Sequence, residues 1–227
     1  MAGNFSAILD LGKVEIAARE IHVDDVHKLL ALDHLNLKVG IELANLEGLL
    51  YPDTYRFSRD EDEKNILRRM CDRFRLELES AFAGQIPDSL DIRRLLILAS
   101  IVQGEYQLAS VADTIAAVYL NRLASGMKLQ ADPTVQFILG ENPRRLLLSD
   151  LQIDSPYNTY LYHGLPPGPI NSPGSVALRA VISPAECDYL YFVASGDGSH
   201  KFAKTYEQHL ENRKPLDTLR RKIRKRK

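Results

Sequence analysis

The stretch Leu95-Leu-Ile-Leu-Ala-Ser-Ile-Val-Gln-Gly-Glu105 decides how the rest of the chain is read. Wound as a helix, Leu95, Leu96, Ile97, Leu98, Ile101 and Val102 leave no polar face, so the pattern predicts a helix covered on all sides by other elements. A single carboxylate ends it. If Glu105 shares that burial, its pKa rises from the ordinary ~4.3 and the side chain stays protonated near neutrality. A neutral carboxylic acid so placed is a general acid. The competing reading puts Glu105 just past the buried part, exposed beside Gly104 and without a chemical role.

Working outward, the preceding segment carries a stripe, Ile66, Met70, Phe74, Leu78 and Phe82, at helical spacing. Ser58 with Glu61 reads as its capping box and Gly84 as its stop. The central helix is expected from near Asp91 to about Ala109. Ser110 and Asp113 then cap a helix with Val111, Ile115, Val118 and Leu123 facing inward, ended by Ser125-Gly126. Asp132 stands before Pro133 at the start of a short helix. Leu146 to Leu151 suggests a further turn or two.

Ser155 to His163 reads as a strand-like aromatic stretch, and Gly164 to Gly174 as a loop stiffened by four prolines. Ser175 to Ile182 reads as a helix closed by Pro184. Asp188 to Ala194 and His200 to Ala203 flank Ser195-Gly-Asp-Gly-Ser199 as a hairpin. A last helix from about Thr205 leads into a basic tail. Upstream, Leu46 to Phe57 suggests extended structure around a Pro-Asp turn, with Glu47 at its start, and Val23 to Leu30 suits a short helix. The expected fold class is α+β, mainly helical, with β-hairpins and a rigid Pro-rich loop.

The chain has 227 residues, 45% of them hydrophobic, which argues against disorder. Its 29 basic and 30 acidic residues leave a net charge of -1, so no global field draws it to nucleic acid. The basic run Arg220 to Lys227 is either a solvated end or a contact for anionic lipid or another polyanion. The apolar run from Leu95 to Val102 is far below the roughly 18 residues that span a bilayer, and no export signal is legible at the N-terminus. Cys71 and Cys187 form no CxxC pair and read as two buried thiols, and the six histidines show no metal-ligand spacing. Neither a metal nor a cofactor is expected.

Taken in order, the segments LEGLLYPDTYRF (46–57), ASIVQGE (99–105), VYLNRL (118–123), GMKLQADPTVQF (126–137), SPYNTY (155–160), GLPPGPINSPG (164–174), YLYFVASGDGSHKF (189–202) and TYEQH (205–209) closely resemble the endolytic murein transglycosylases of the MltG or YceG-like family. The resemblance implies cleavage inside peptidoglycan glycan strands, between N-acetylmuramic acid and N-acetylglucosamine, leaving a 1,6-anhydro-muramic end. The family's catalytic glutamate falls on Glu105, in a motif that often reads ASIVEKE. The first acidic position of that motif is Gln103 here, a departure that leaves the acid in place.

Glu47, Gln130, Asp132 and Thr134 are candidates for polar groups lining the same site, although Asp132 could simply cap a helix and Glu47 could pair with an arginine. Tyr157, Asn158, Thr159, Tyr160 and the loop around Pro167 are expected to hold the strand by stacking and hydrogen bonds. Three regions follow: residues 1–45 of unclear role, a YceG-like catalytic domain at 46–212, and a basic tail at 213–227. The family usually carries a membrane helix and a small LysM-like domain ahead of the catalytic region. Neither is recognisable here, so the expectation is a shortened chain or a short relative, acting outside the cytoplasmic membrane. Peptidoglycan strands are the expected partner, with peptidoglycan synthases as further candidates and no nucleic acid. The alternative reading is a catalytically silent, peptidoglycan-binding scaffold of the elongation machinery.

Overall fold

Burial runs without a break from Leu95 to Val102, so the apolar stretch is enclosed on every face. A computed structural model describes residues 47–58, 61–84, 86–87, 90–140 and 144–224. The described helices are α1 (Glu63–Ala81), α2 (Ile92–Glu105), α3 (Ala112–Ala124), α4 (Asp132–Leu139), α5 (Ser175–Ile182) and α6 (Tyr206–Arg224). Strands β1 (Tyr191–Ala194) and β2 (His200–Ala203) pair antiparallel, with Phe192 opposite Phe202 and Ala194 opposite His200. The fold is therefore α+β and mainly helical, and the expected plural of hairpins reduces to one among the described residues. The helix expected at Val23 to Leu30 lies outside them.

Helix α2 is the axis, touching α3, α4 and α5, while α5 also packs on α1 and α3. Asp91 caps its start by accepting the Arg94 N–H at 3.0 Å. It ends at Glu105 rather than near Ala109, and a 3-10 turn, Ala109–Val111, leads into α3. Ser110 caps nothing by side chain there, because the helix follows that turn directly, and Asp113 lies already inside the first turn, where it accepts the Thr114 N–H at 2.7 Å. The capping box read at Ser58 is likewise displaced. Ser58 does bond Glu61 at 3.2 Å, but α1 starts later, with Asp62 at its N-cap.

The Pro-rich loop is a strap along α2. Arg93 donates to the Pro167 carbonyl at 2.7 Å, the Ile170 N–H to Ser100 Oγ at 3.0 Å, Asn171 Nδ2 to the Ser100 carbonyl at 2.8 Å, and the Gly174 N–H to Gln103 Oε1 at 3.0 Å. Ser100, a polar residue in the middle of a buried helix, is thus fully used. Gln103 serves as an acceptor, a task its amide oxygen performs without a charge.

The stretch 155–163 is a chain of turns rather than a strand, because Asn158 bends it. Its buried amide donates to the Leu151 and Ile153 carbonyls and accepts the Tyr160 N–H. Cys71 is buried, which pushes its thiol up to about 12, and Cys187 is only half-buried. No described helix is long and apolar enough to cross a membrane. Helix α6 packs on both strands and continues through Pro215, so the boundary expected at residue 213 falls inside a helix.

Gly104 marks the closest approach between α2 and α4. A Cβ there would lie 2.6 Å from Pro133 Cβ, well inside contact distance. Alanine normally stabilises a helix relative to glycine. Gly104→Ala is expected to do the reverse, lowering stability by about 1–3 kcal/mol through overpacking, as read from the midpoint of urea unfolding.

Candidate active site

Glu105 is the last residue of α2, where a carboxylate also meets the negative end of the helix dipole. Its Oε1 accepts the Tyr119 hydroxyl at 2.6 Å from the neighbouring helix α3. Burial dominates its titration and raises the pKa; the Tyr119 hydrogen bond pulls it down, Asp132 pushes it up and Arg122 pulls it down again. The result is pushed up to about 7. The same residue remains partly accessible, because it lines a cleft of about 480 Å³.

One wall of that cleft is the segment entering α4. Gln130 has a left-handed backbone at φ 50°, a conformation costing a non-glycine residue about 1 kcal/mol or more. It is pinned there by Thr159. The Gln130 N–H donates to the Thr159 carbonyl at 3.0 Å and the Ala131 N–H to Thr159 Oγ1 at 2.9 Å, while Thr134 Oγ1 bonds Thr159 Oγ1 at 2.9 Å and the Ala131 carbonyl at 2.7 Å. Asp132 does not cap its own helix. It accepts the Tyr160 hydroxyl, and burial together with that carboxylate keeps the phenol protonated well above the ordinary range.

The opposite wall comes from the hairpin and α6, through Phe192, Val193, Ala194 and His200, then Tyr206, His209 and Arg213. Both histidines are held below the ordinary value chiefly by burial, so they are neutral at pH 7. Their Nδ1 atoms are buried with no hydrogen-bond partner among the described residues.

Arg122 ties the walls together. Its guanidinium donates to the Leu190 carbonyl at 2.6 Å and the Leu129 carbonyl at 2.7 Å, and lies 5.2 Å from the Tyr191 ring centroid. Burial lowers its pKa, yet a guanidinium keeps its charge. Asn121 beside it donates to the Cys187 and Tyr189 carbonyls, fixing the approach to β1.

Of the residues singled out from sequence, Glu105, Gln130, Asp132 and Tyr160 line this cleft. Thr134, Asn158 and Thr159 are buried behind it and hold its wall, because their polar atoms are consumed by the backbone they brace. Pro167 lies at the other end of α2, about 18 Å along the helix at 1.5 Å per residue, held by Arg93. Tyr157 packs on Phe137 at 4.7 Å, with Gly168 under its hydroxyl and Glu47 and Arg93 as charged neighbours. None of the residues of the proline loop lines the Glu105 cleft. Tyr119, Arg122, His200 and His209 went unassigned in the sequence, although each falls within a motif quoted above. The i, i+3 spacing of Tyr119 and Arg122 on one helix was the available signal. Among the described residues no three His, Cys, Asp or Glu side chains cluster as metal ligands.

The profile of the YceG-like family matches residues 8–215, reaching further upstream than the motifs themselves. The chain is 38% identical over 165 residues to an endolytic murein transglycosylase of Bacillus subtilis (strain 168), covering 72% of this chain and 46% of that protein. It is 31% identical over 187 residues to one of Streptococcus pneumoniae serotype 2, covering 80% of this chain and 34% of that protein. The crystal structure of a YceG-like protein from Listeria monocytogenes superposes with a TM-score of 0.75 at 33% identity, covering 88% of this chain and 66% of that one. The chain thus spans between a third and a half of the curated relatives it matches. Over most of its length, from residue 8 to residue 215, the chain belongs to the YceG-like family.

Proposed function

We propose that this chain carries the catalytic centre of an endolytic murein transglycosylase, cutting peptidoglycan glycan strands between N-acetylmuramic acid and N-acetylglucosamine. The observation that carries this reading is Glu105, set at the end of the enclosed helix α2, bonded by Tyr119 at 2.6 Å and lining an open polar cleft. Neutral Glu105 gives its proton to the glycosidic oxygen as the bond from C1 breaks and its electron pair goes to that oxygen. The muramoyl 6-hydroxyl then attacks C1 and returns its proton to the Glu105 carboxylate, closing the 1,6-anhydro ring. Proton count is conserved, no water enters, and the attack is intramolecular. Gln130, Asp132 and Tyr160 hold the strand in this cleft. Asp132 also sets negative charge beside the positive charge that develops at C1.

That second carboxylate favours one competing reading, a hydrolase in which Asp132 activates water or attacks C1 itself. The products separate the two, since hydrolysis leaves a reducing end and the intramolecular route an anhydro end. The substrate places the work outside the cytoplasmic membrane, where enzymes that build glycan strands would be the natural partners.

Digestion of purified glycan strands, followed by mass spectrometry, is expected to give anhydro-muramic ends from internal cuts. Reducing ends alone would move the assignment to hydrolysis, and intact strands would leave a binding scaffold. Glu105→Gln is expected to lower turnover by about 100-fold or more while strand binding survives, because the amide keeps the shape and loses the proton. The wild-type rate should fall as pH rises through about 7, the value at which Glu105 loses its proton.

The same ionisation has a signature in stability. A carboxyl whose folded pKa lies above its unfolded one stabilises the fold fully below the unfolded value, near 4.5, and that contribution is lost as pH rises to about 7. Wild type is therefore expected to lose up to about 3 kcal/mol relative to Glu105→Gln across that window and nothing further above it, as measured by urea unfolding at several pH values.

A further inference from the structure

Glu105 has two oxygens, and the cleft treats them differently. Oε1 is occupied by the Tyr119 hydroxyl at 2.6 Å, and Tyr119 is itself buried, its ring edge-on to Phe192 at 5.7 Å between centroids. The carbonyl oxygen of a carboxylic acid is its better acceptor, so a phenol held on Oε1 favours the hydrogen on Oε2. Once the proton has left, the same phenol becomes a charge-assisted donor to the carboxylate, a stronger bond than before. Building on the reading of Glu105 as the acid, we propose that Tyr119 is a positioning residue that fixes the transferable proton on Oε2 and steadies the carboxylate that remains.

The other groups facing Glu105 do not duplicate this. On α3, Arg122 spends its hydrogen bonds on carbonyl oxygens and acts on Glu105 through charge alone. Asp132, entering α4, opposes ionisation, and Tyr160 donates to Asp132 instead. Across the cleft, His200 and His209 are kept neutral by burial, while Tyr206 and Arg213 complete the α6 wall. Tyr119 cannot be the base, because burial and the adjacent carboxylate hold its phenol far above the ordinary range.

The test is a direct titration of Glu105 by carbon NMR in the full chain labelled at glutamate carboxyls, the resonance being assigned by its loss in Glu105→Gln. In Tyr119→Phe the midpoint is expected to rise, by about one pH unit for the loss of one buried hydrogen bond. On glycan strands kcat should fall, KM should stay near the wild-type value, and the alkaline limb should move up in step. A ring that only fills space would move neither midpoint nor limb, and an unchanged or lowered midpoint overturns the proposal. Should Tyr119→Phe fail to fold, a difluorotyrosine placed at position 119 alone gives the opposite arm. Its more acidic phenol is a stronger donor and should lower the Glu105 midpoint, and no change there overturns the proposal equally. A shifted midpoint without anhydro ends would retain the positioning role and sink the transglycosylase reading. Anhydro ends with a fixed midpoint would do the converse.

Discussion

The desolvation of one carboxyl is the constraint on which the structure turns. Ending a fully enclosed apolar helix on a glutamate removes water from a group that water would otherwise ionise, and the helix dipole adds to the penalty. The fold answers with a single strong donor, Tyr119, and with the positive charge of Arg122. These supports are enough to bring the acid to about neutrality and not enough to ionise it completely. An acid balanced there can release and recapture a proton at comparable cost.

The surrounding architecture follows from keeping that balance while leaving one side open. Helix α2 fixes the carboxyl, α3 supplies both partners, the bend before α4 brings Gln130 and Asp132, and the ribbon with α6 closes the far side. Gly104 lets Pro133 approach within contact of α2, and the buried Thr134 and Thr159 hold the bend in a conformation it would not adopt alone.

Much of this was legible in the residues. An apolar run with no polar face announces an enclosed element, and Ser175–Ile182 and the hairpin around 195–199 carry clear stop signals. Glu105 and the Asp132 turn could be read because each combines a polar group with a structural punctuation mark. What misled was local likeness. Aromatic residues at 155–163 suggest a strand, yet one asparagine bonding three backbone groups makes turns, a tertiary fact no period reveals. Rigid prolines suggest a sugar-binding wall, yet the Pro167 carbonyl and the N–H groups of Ile170 and Gly174 in the same loop are spent on α2. Tyr119 and Arg122 were hidden for a similar reason, since a tyrosine and an arginine on a helix declare their partners only when the chain is folded.

The ribbon opposite the acid consists of two strands of four residues each. Such a pair is marginal in isolation and borrows its stiffness from the helices it touches. Arg122 and Asn121 moor its base through the Leu190, Cys187 and Tyr189 carbonyls, and at the tip Gly198 lies so near Leu108 that a Cβ there would sit 3.3 Å from the leucine side chain. The far wall of the cleft is thus a short ribbon tethered at its base and met at its tip by the turn after α2, so its stiffness is lent by those neighbours rather than by its own two strands.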